Sequence, residues 1–199
     1  MNNSDTTLEI RTLGYLSISI DGKQVATDWP NDTIKTLFCS LLSPMDVHLS
    51  WDRICLTMWD IPDSRIVRNR LEELFIEPLN CFLIRELGVN PLISDDEGMT
   101  LDQQHIHLDA LDFYRAAVEG NRLLANGNNS AATTMFRKAD QLYTGIFLPR
   151  MYGTIIEKCR TDLEQLHRTV VKANRQNITD RGYSDCHKRD EYRLYQLAA

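Results

Sequence analysis

The chain has 199 residues, of which 43% are hydrophobic and 25% are charged, and its net charge is −6. These values fit one or two folded domains and exclude a globally disordered chain. The longest apolar runs are only a few residues long, far short of the roughly 18 that a membrane-spanning helix requires.

The charge is distributed unevenly along the chain. Residues 8–102 contain eight Lys or Arg against sixteen Asp or Glu, a net charge of −8, whereas residues 103–199 carry a net +3. An acidic first half disfavours nonspecific attraction to a phosphate backbone.

The N-terminal residues and the cysteines indicate whether the protein is exported and whether it forms disulfides. The first residues lack the basic and then apolar pattern of a secretory signal, so we expect a cytoplasmic protein. The five cysteines are widely spaced and form no Cys-x-x-Cys. This spacing favours buried small hydrophobic residues over a disulfide framework.

The chain opens with alternating apolar and polar residues, which is typical of half-buried strands. Leu8 to Leu13 and Leu16 to Ile20 alternate in this way, and Asp21-Gly22 is a hairpin turn signal that leads to a third short strand over Lys23 to Ala26. The pattern predicts a small antiparallel sheet.

Three helices, each with a capping residue and an apolar face, are predicted next. They are Thr33 to Leu42 capped by Asn31 or Asp32, a segment after Ser50 with Trp51, Ile54, Cys55, Met58 and Trp59 on one face, and a helix opened by Pro62-Asp63-Ser64 with Ile66, Val67, Leu71, Leu74 and Phe75 on one face. Pro78 is expected to kink or break the third helix, which resumes over Leu79 to Leu87 and ends at Gly88. Residues 91–102 are interpreted as a hairpin around an acidic turn, which completes the element order of a winged helix-turn-helix.

From Asp109 onward only helices are predicted. They cover Leu111 to Ala125, Ser130 to Tyr143, Ile155 to Ile178 and Asp185 to Leu197, with turns at residues 127–129 and 182–184. The last helix has no neighbour to pair with, so we expect a chain cut short of its natural end, or a helix that packs back or dimerises.

Several stretches together resemble one family of proteins. They are Leu8 to Gly14 followed by Asp21-Gly22-Lys23, Leu49 to Trp59, Val67 to Leu71, Leu108-Asp109 with Phe113, and Leu142-Tyr143-Thr144-Gly145-Ile146-Phe147-Leu148. In this order they resemble the bacterial transcriptional activator domain family, the SARP-like regulators. The resemblance implies an α+β fold, with an N-terminal OmpR-type winged helix-turn-helix over residues 8–102 and an all-α, tetratricopeptide-like helical domain over residues 103–199.

In such a winged helix the third helix lies in the major groove of DNA. Because Arg can read guanine and Asn adenine, the start of this helix supplies candidate DNA contacts, and two earlier basic residues are candidate phosphate contacts. The candidates are Arg65, Arg68, Asn69, Arg70, Lys35 and Arg53. The alternative is a solvated helix start whose arginines pair with Glu72 and Glu73 at i,i+3 or i,i+4 spacing.

Two functions follow from these observations. The resemblance implies a cytoplasmic bacterial transcriptional regulator that binds double-stranded promoter DNA and contacts RNA polymerase or its own dimer mate through the helical domain. The acidic turn at Asp95 to Glu97 and Pro78 motivate the alternative, a protein-interaction module that no longer binds DNA and docks a basic partner. The unpaired last helix motivates a variant of this alternative, the regulatory part of a larger sensor or ATPase.

No enzyme, cofactor or metal site is expected. The sequence contains no P-loop, dinucleotide-binding, nucleophile-elbow or zinc-protease motif. His105 and His107 share one face of an extended piece but lack a third ligand. Asp185-Cys186-His187 is not a catalytic dyad, because adjacent residues on a helix point about 100° apart.

Overall fold

A computed structural model describes the backbone of residues 8–25, 28–45, 48–102 and 106–197, and side chains as far as residue 176. The strands are β1 (Leu8–Arg11), β2 (Ser17–Ile20), β3 (Lys23–Val25), β4 (His48–Ser50), β5 (Leu92–Ser94), β6 (Gly98–Leu101) and β7 (Ile106–Leu108). The helices are α1 (Asp32–Leu41), α2 (Trp51–Trp59), α3 (Arg65–Leu71), α4 (Glu77–Leu87), α5 (Asp109–Ala125), α6 (Asn129–Leu142) and α7 (Thr154–Leu197), with a π-helical turn (Glu72–Ile76) between α3 and α4. The mixed α+β class is the one that the sequence predicted.

The N-terminal sheet has four strands in the order β3-β2-β1-β7. Strands β1, β2 and β3 pair antiparallel, as predicted, but β7 adds to the other edge of β1 in parallel, with Leu8 opposite Ile106. Strand β7 lies beyond residue 102, where the first predicted domain ends. Parallel pairing over such a distance leaves no local turn signal in the sequence.

A second sheet joins the hairpin of β5 and β6 to β4, in the order β4-β6-β5. Gly98 lies where β6 crosses β4, and a Cβ there would stand 2.0 Å from the carbonyl oxygen of Leu49. Only glycine fits this approach. The second sheet therefore places the turn of the hairpin beside the start of α2.

Local capping fixes the starts of the first three helices. Asn31 accepts a hydrogen bond from the backbone N–H of Ile34 at 2.8 Å, and the hydroxyls of Ser50 and Ser64 cap α2 and α3 in the same way. The apolar face of α1, including Leu37 and Phe38, is buried in the core.

Pro78 neither ends the third helix nor leaves it regular. The backbone N–H of Glu77 donates to the carbonyl of Glu72, five residues back, so a π turn precedes α4 and the helix continues to Leu87. Pro78 has no N–H to donate, and its ring crowds the carbonyl four residues earlier, which a wider turn relieves. Gly88 then ends the helix in the left-handed conformation, as predicted.

The predicted apolar face of the third helix is wrong at two positions. Ile66 is 82% exposed and Leu74 is 42% exposed, whereas Leu71 is fully buried. Five residues separate Ile66 from Leu71, which is about 140° around a helix. The two side chains therefore cannot share one face.

The second half contains an antiparallel helix pair followed by a long helix. Helices α5 and α6 pack closely, since a Cβ on Gly120 would stand 2.6 Å from the ring of Phe136. Helix α7 runs without interruption from Thr154 to Leu197. The predicted turn at residues 182–184 is wrong, because a single glycine inside a helix costs only about 1 kcal/mol and does not end it.

A segment between α6 and α7 joins the two halves. This crossing segment (residues 143–148) places Gly145 against Gly14, and the backbone N–H of Gly14 donates to the carbonyl of Ile146 at 2.9 Å. The N–H of Leu148 donates to the carbonyl of Thr12 at 2.8 Å. Residues on either side of the predicted boundary are thus joined through backbone hydrogen bonds.

Candidate nucleic-acid interface

Helix α3 presents its first turns to solvent. Ser64 caps it, and Arg65, Ile66, Asn69 and Arg70 are all exposed. These four side chains lie on the outer side of the helix, because Leu71 on the opposite side is buried and Val67 is half-buried. Four of the predicted contacts share this helix, and three of those four lie on its open face.

Arg68 is the exception, because it points toward the hairpin. Its guanidinium forms an ion pair with Asp63, with Nη2 and Oδ2 2.5 Å apart, and donates to the carbonyl of Asp96 at 3.1 Å. It also lies 5.3 Å from the centroid of the Trp51 ring. The hydrogen bond with Asp63 raises the pKa of Arg68 above its ordinary value. Arg68 therefore ties α3 to the hairpin.

Arg70 carries the ion pair that the sequence offered as an alternative. Its Nη1 lies 2.9 Å from Oε2 of Glu73, and both side chains are 63% exposed. An exposed pair of this kind contributes about 0–1 kcal/mol. A phosphate group can displace Glu73 at that cost, so Arg70 remains available to an anionic partner.

The acidic turn of the hairpin is held rigidly. Oδ1 of Asp95 accepts hydrogen bonds from the backbone N–H groups of Glu97 and Gly98 at 2.8 and 2.9 Å, which lower the pKa of Asp95. Trp51 anchors the same turn, because its Nε1 donates to the carbonyl of Asp95 at 2.9 Å. The turn thus places fixed negative charge next to the start of α2 and α3.

Lys35 and Arg53 lie elsewhere. Lys35, on α1, lines a cleft of about 410 Å³ near Arg150. Arg53, on α2, lines an open cleft of about 500 Å³ together with Lys158 of α7. No residue of α3 lines either cleft.

Sequence reasoning missed two features of this surface. Ile66 was assigned to the core, although its 140° offset from Leu71 signals exposure, and an apolar side chain there can contact a thymine methyl group. The link from Arg68 through Trp51 to the hairpin joins positions 17 to 44 residues apart, for which no local pattern exists.

The structure describes some of the remaining histidine and cysteine candidates. His107 pairs with Asp112, Nε2 to Oδ2, at 2.7 Å. His105 and the side chains of Asp185-Cys186-His187 lie outside the described residues. In the part of the chain that is described, no three His, Cys, Asp or Glu side chains group as metal ligands, and no helix has the length and hydropathy to cross a membrane.

Comparison with known proteins gives a likeness in structure alone. No family model matches the sequence, and no curated protein matches it. The structure is similar to that of Mycobacterium tuberculosis EmbR in complex with a low-affinity phosphopeptide, with a TM-score of 0.62 and 18% identity. The match covers 85% of this chain but only 45% of EmbR, so the chain spans less than half of that protein's length. The likeness shows that this chain shares the fold of the matched part of EmbR.

Proposed function

We propose that this chain is the DNA-binding part of a cytoplasmic bacterial transcriptional regulator. Residues 8–102 act as the winged helix-turn-helix, with α3 as the helix that enters the major groove and the β5–β6 hairpin as the wing. Residues from 103 onward act as a tetratricopeptide-like domain. The likeness to the EmbR fold and the order of helices and hairpin support this assignment.

The observation that carries the proposal is the exposed, basic start of α3. Arg65 and Arg70 can reach phosphates or guanine, and Asn69 has the side chain that pairs with adenine. Ile66 stands between them as an apolar contact for thymine. Arg68 acts as a positioning residue, because its ion pair with Asp63 holds its guanidinium in place and its bond to the Asp96 carbonyl connects the helix to the wing.

The acidic surface sets the expected strength of binding. With two or three phosphates neutralised by this helix, raising the salt from about 50 to about 200 mM weakens binding roughly 10- to 40-fold. That loss is small for a DNA-binding protein. Specific base contacts, rather than long-range attraction, must therefore supply most of the discrimination.

A fluorescence-anisotropy titration against the DNA upstream of the chain's own gene, beside a scrambled duplex, tests the proposal. Arg65→Ala and Arg70→Ala should weaken binding to both duplexes and reduce the salt dependence, whereas Asn69→Ala should reduce the preference for the specific duplex. Arg85→Ala is the matched control, since Arg85 is an exposed arginine on α4 paired with Glu86. Binding that is unchanged in all three α3 variants would refute the assignment of this helix.

The helical half is proposed to bind protein rather than to catalyse a reaction. Its partner is RNA polymerase or a second copy of the chain, as the family resemblance implies. EmbR was seen with a phosphopeptide, which supports regulation through a protein partner for the longer protein as well. Crosslinking of the chain alone and with RNA polymerase distinguishes the two partners.

A second function is favoured by the acidic hairpin turn. The lowered pKa of Asp95 keeps this carboxylate ionised beside α3, and Glu73 forms an ion pair with Arg70. The same surface can therefore dock a basic protein instead of DNA. Retention on a heparin column at moderate salt would count against this interaction module. Failure to bind any duplex at low salt, together with binding to a basic peptide array, would favour it over the regulator.

A further inference from the structure

We propose that the chain has a binding site for a small organic anion with an apolar body, independent of the DNA-binding surface. The site is the cleft of about 410 Å³ between α1 and the loop that precedes α7, called the junction cleft here. Its lining includes Tyr15, Leu16, Lys35, Leu148, Arg150 and Met151. The proposal goes beyond the proposed function, since no residue of α3 lines this cleft.

The charged residues in the described lining of the junction cleft are both cationic. Lys35 and Arg150, which are 115 positions apart in the chain, both line it, and its lining as far as the structure describes it contains no Asp or Glu. Neither cation has an ion pair with another described residue. Two cationic residues that line one cleft, one from each half of the chain, are suited to a carboxylate, sulfonate or phosphate group.

The rest of the lining is apolar. Leu16, Leu148 and Met151 line the same space, as does Tyr15. The volume lies within the range of about 300–1,000 Å³ that is typical of small-molecule sites. This composition indicates a ligand with one charged group and a ring or short hydrocarbon, rather than an inorganic ion.

The wall of the cleft is already fixed in the free protein. Leu148 has a φ of +43°, an unfavourable conformation for a residue other than glycine, which surrounding contacts must hold. Its N–H donates to Thr12 at 2.8 Å, and Arg160 donates to the carbonyl of Met151 at 2.7 Å. A preformed wall reduces the ordering cost of binding.

Titration of the chain with 8-anilinonaphthalene-1-sulfonate, an anion with an apolar ring system, tests the proposal by fluorescence. The double variant Lys35→Gln, Arg150→Gln should weaken the affinity about tenfold, the loss expected for one or two charge-assisted hydrogen bonds. The matched control is Arg137→Gln, Lys138→Gln, a pair of exposed basic residues on α6. The neutral analogue N-phenyl-1-naphthylamine should bind all three proteins equally.

Equal affinity of the sulfonate for the wild type and the double variant would overturn the proposal, because the probe would then occupy another surface. Displacement of the probe by inorganic phosphate at equal concentration would overturn the requirement for an apolar body. If the double variant fails to fold, Arg150→Gln alone decides, since this side chain is exposed, and a threefold weakening is expected. No DNA is present in the titration, so its outcome is separate from that of the α3 variants.

Discussion

One carboxylate, that of Asp109, joins the end of β1 to the start of α5. Its Oδ1 accepts hydrogen bonds from the backbone N–H and the hydroxyl of Thr12, both at 2.8 Å, and its Oδ2 accepts from the N–H of Leu13 at 3.0 Å. Thr12 is fully buried and Leu13 is 1% exposed. Asp109→Ala therefore leaves these donors without a protein acceptor.

The size of the effect follows from the number of donors and their access to water. A buried donor left without a partner costs about 1–3 kcal/mol. A cleft of about 380 Å³ lined by Asp109 admits water to one side, so we take the lower part of the range and expect Asp109→Ala to cost about 3–5 kcal/mol. Asp109→Asn keeps one oxygen and loses the acceptor for Leu13, which costs about 1–2 kcal/mol.

Urea unfolding followed by far-UV circular dichroism at neutral pH measures these free energies. Asp112→Asn is the matched control, because it lies one turn further along α5 and its partly exposed pair with His107 contributes no more than about 1 kcal/mol. If Asp109→Ala is no more destabilising than Asp112→Asn, the carboxylate does not hold the two halves together and the reasoning fails.

Three further predictions concern single residues. Gly145→Ala should destabilise the fold by about 1–3 kcal/mol in thermal unfolding, because its Cβ would stand 2.8 Å from Gly14 Cα. A Tm equal to that of the wild type would mean that Gly145 and Gly14 are not packed this closely. The pKa of Asp95 lies below its ordinary 3.8 because the N–H groups of Glu97 and Gly98 donate to it, so its stabilising contribution is complete above that pH and is lost as the pH falls through the folded pKa. The urea midpoint should therefore drop less from about pH 6 to 3 in Asp95→Asn than in the wild type. Burial raises the pKa of Cys39 to about 12, so iodoacetamide at about pH 8 should label exposed Cys81 and leave Cys39 unlabelled in peptide mapping.

The parts of the fold that sequence reasoning predicted are those that depend on neighbouring residues. Asn31, Ser50 and Ser64 cap helices through hydrogen bonds to groups three residues away, and Gly88 ends α4 through its own backbone conformation. Such signals lie within a single turn of chain. The starts of α1, α2 and α3 could therefore be placed to within about two residues.

The parts that were missed depend on residues far apart in the chain. No sequence pattern near Ile106 predicts that β7 pairs with β1. Likewise, no pattern near Arg68 predicts its contacts with Trp51 and Asp96. The candidate site shows the same limit. The spacing of Arg65, Asn69 and Arg70 predicted their shared helix, but only the packed structure distinguishes the exposed arginines from the one that holds the hairpin.

The parallel pairing of β1 with β7 has a consequence for biosynthesis. Leu8 cannot pair with Ile106 until about 100 further residues have been synthesised. At a ribosomal rate of about 5–20 residues per second this takes roughly 5–20 s. During that interval the backbone groups on one edge of β1 are unpaired and can pair with a strand of another chain. Such pairing leads to aggregation. Strand β1 is synthesised before its neighbours in the sheet but is among the last to complete its pairing, so the yield of folded protein in the cell should depend on chaperones that shield nascent chains.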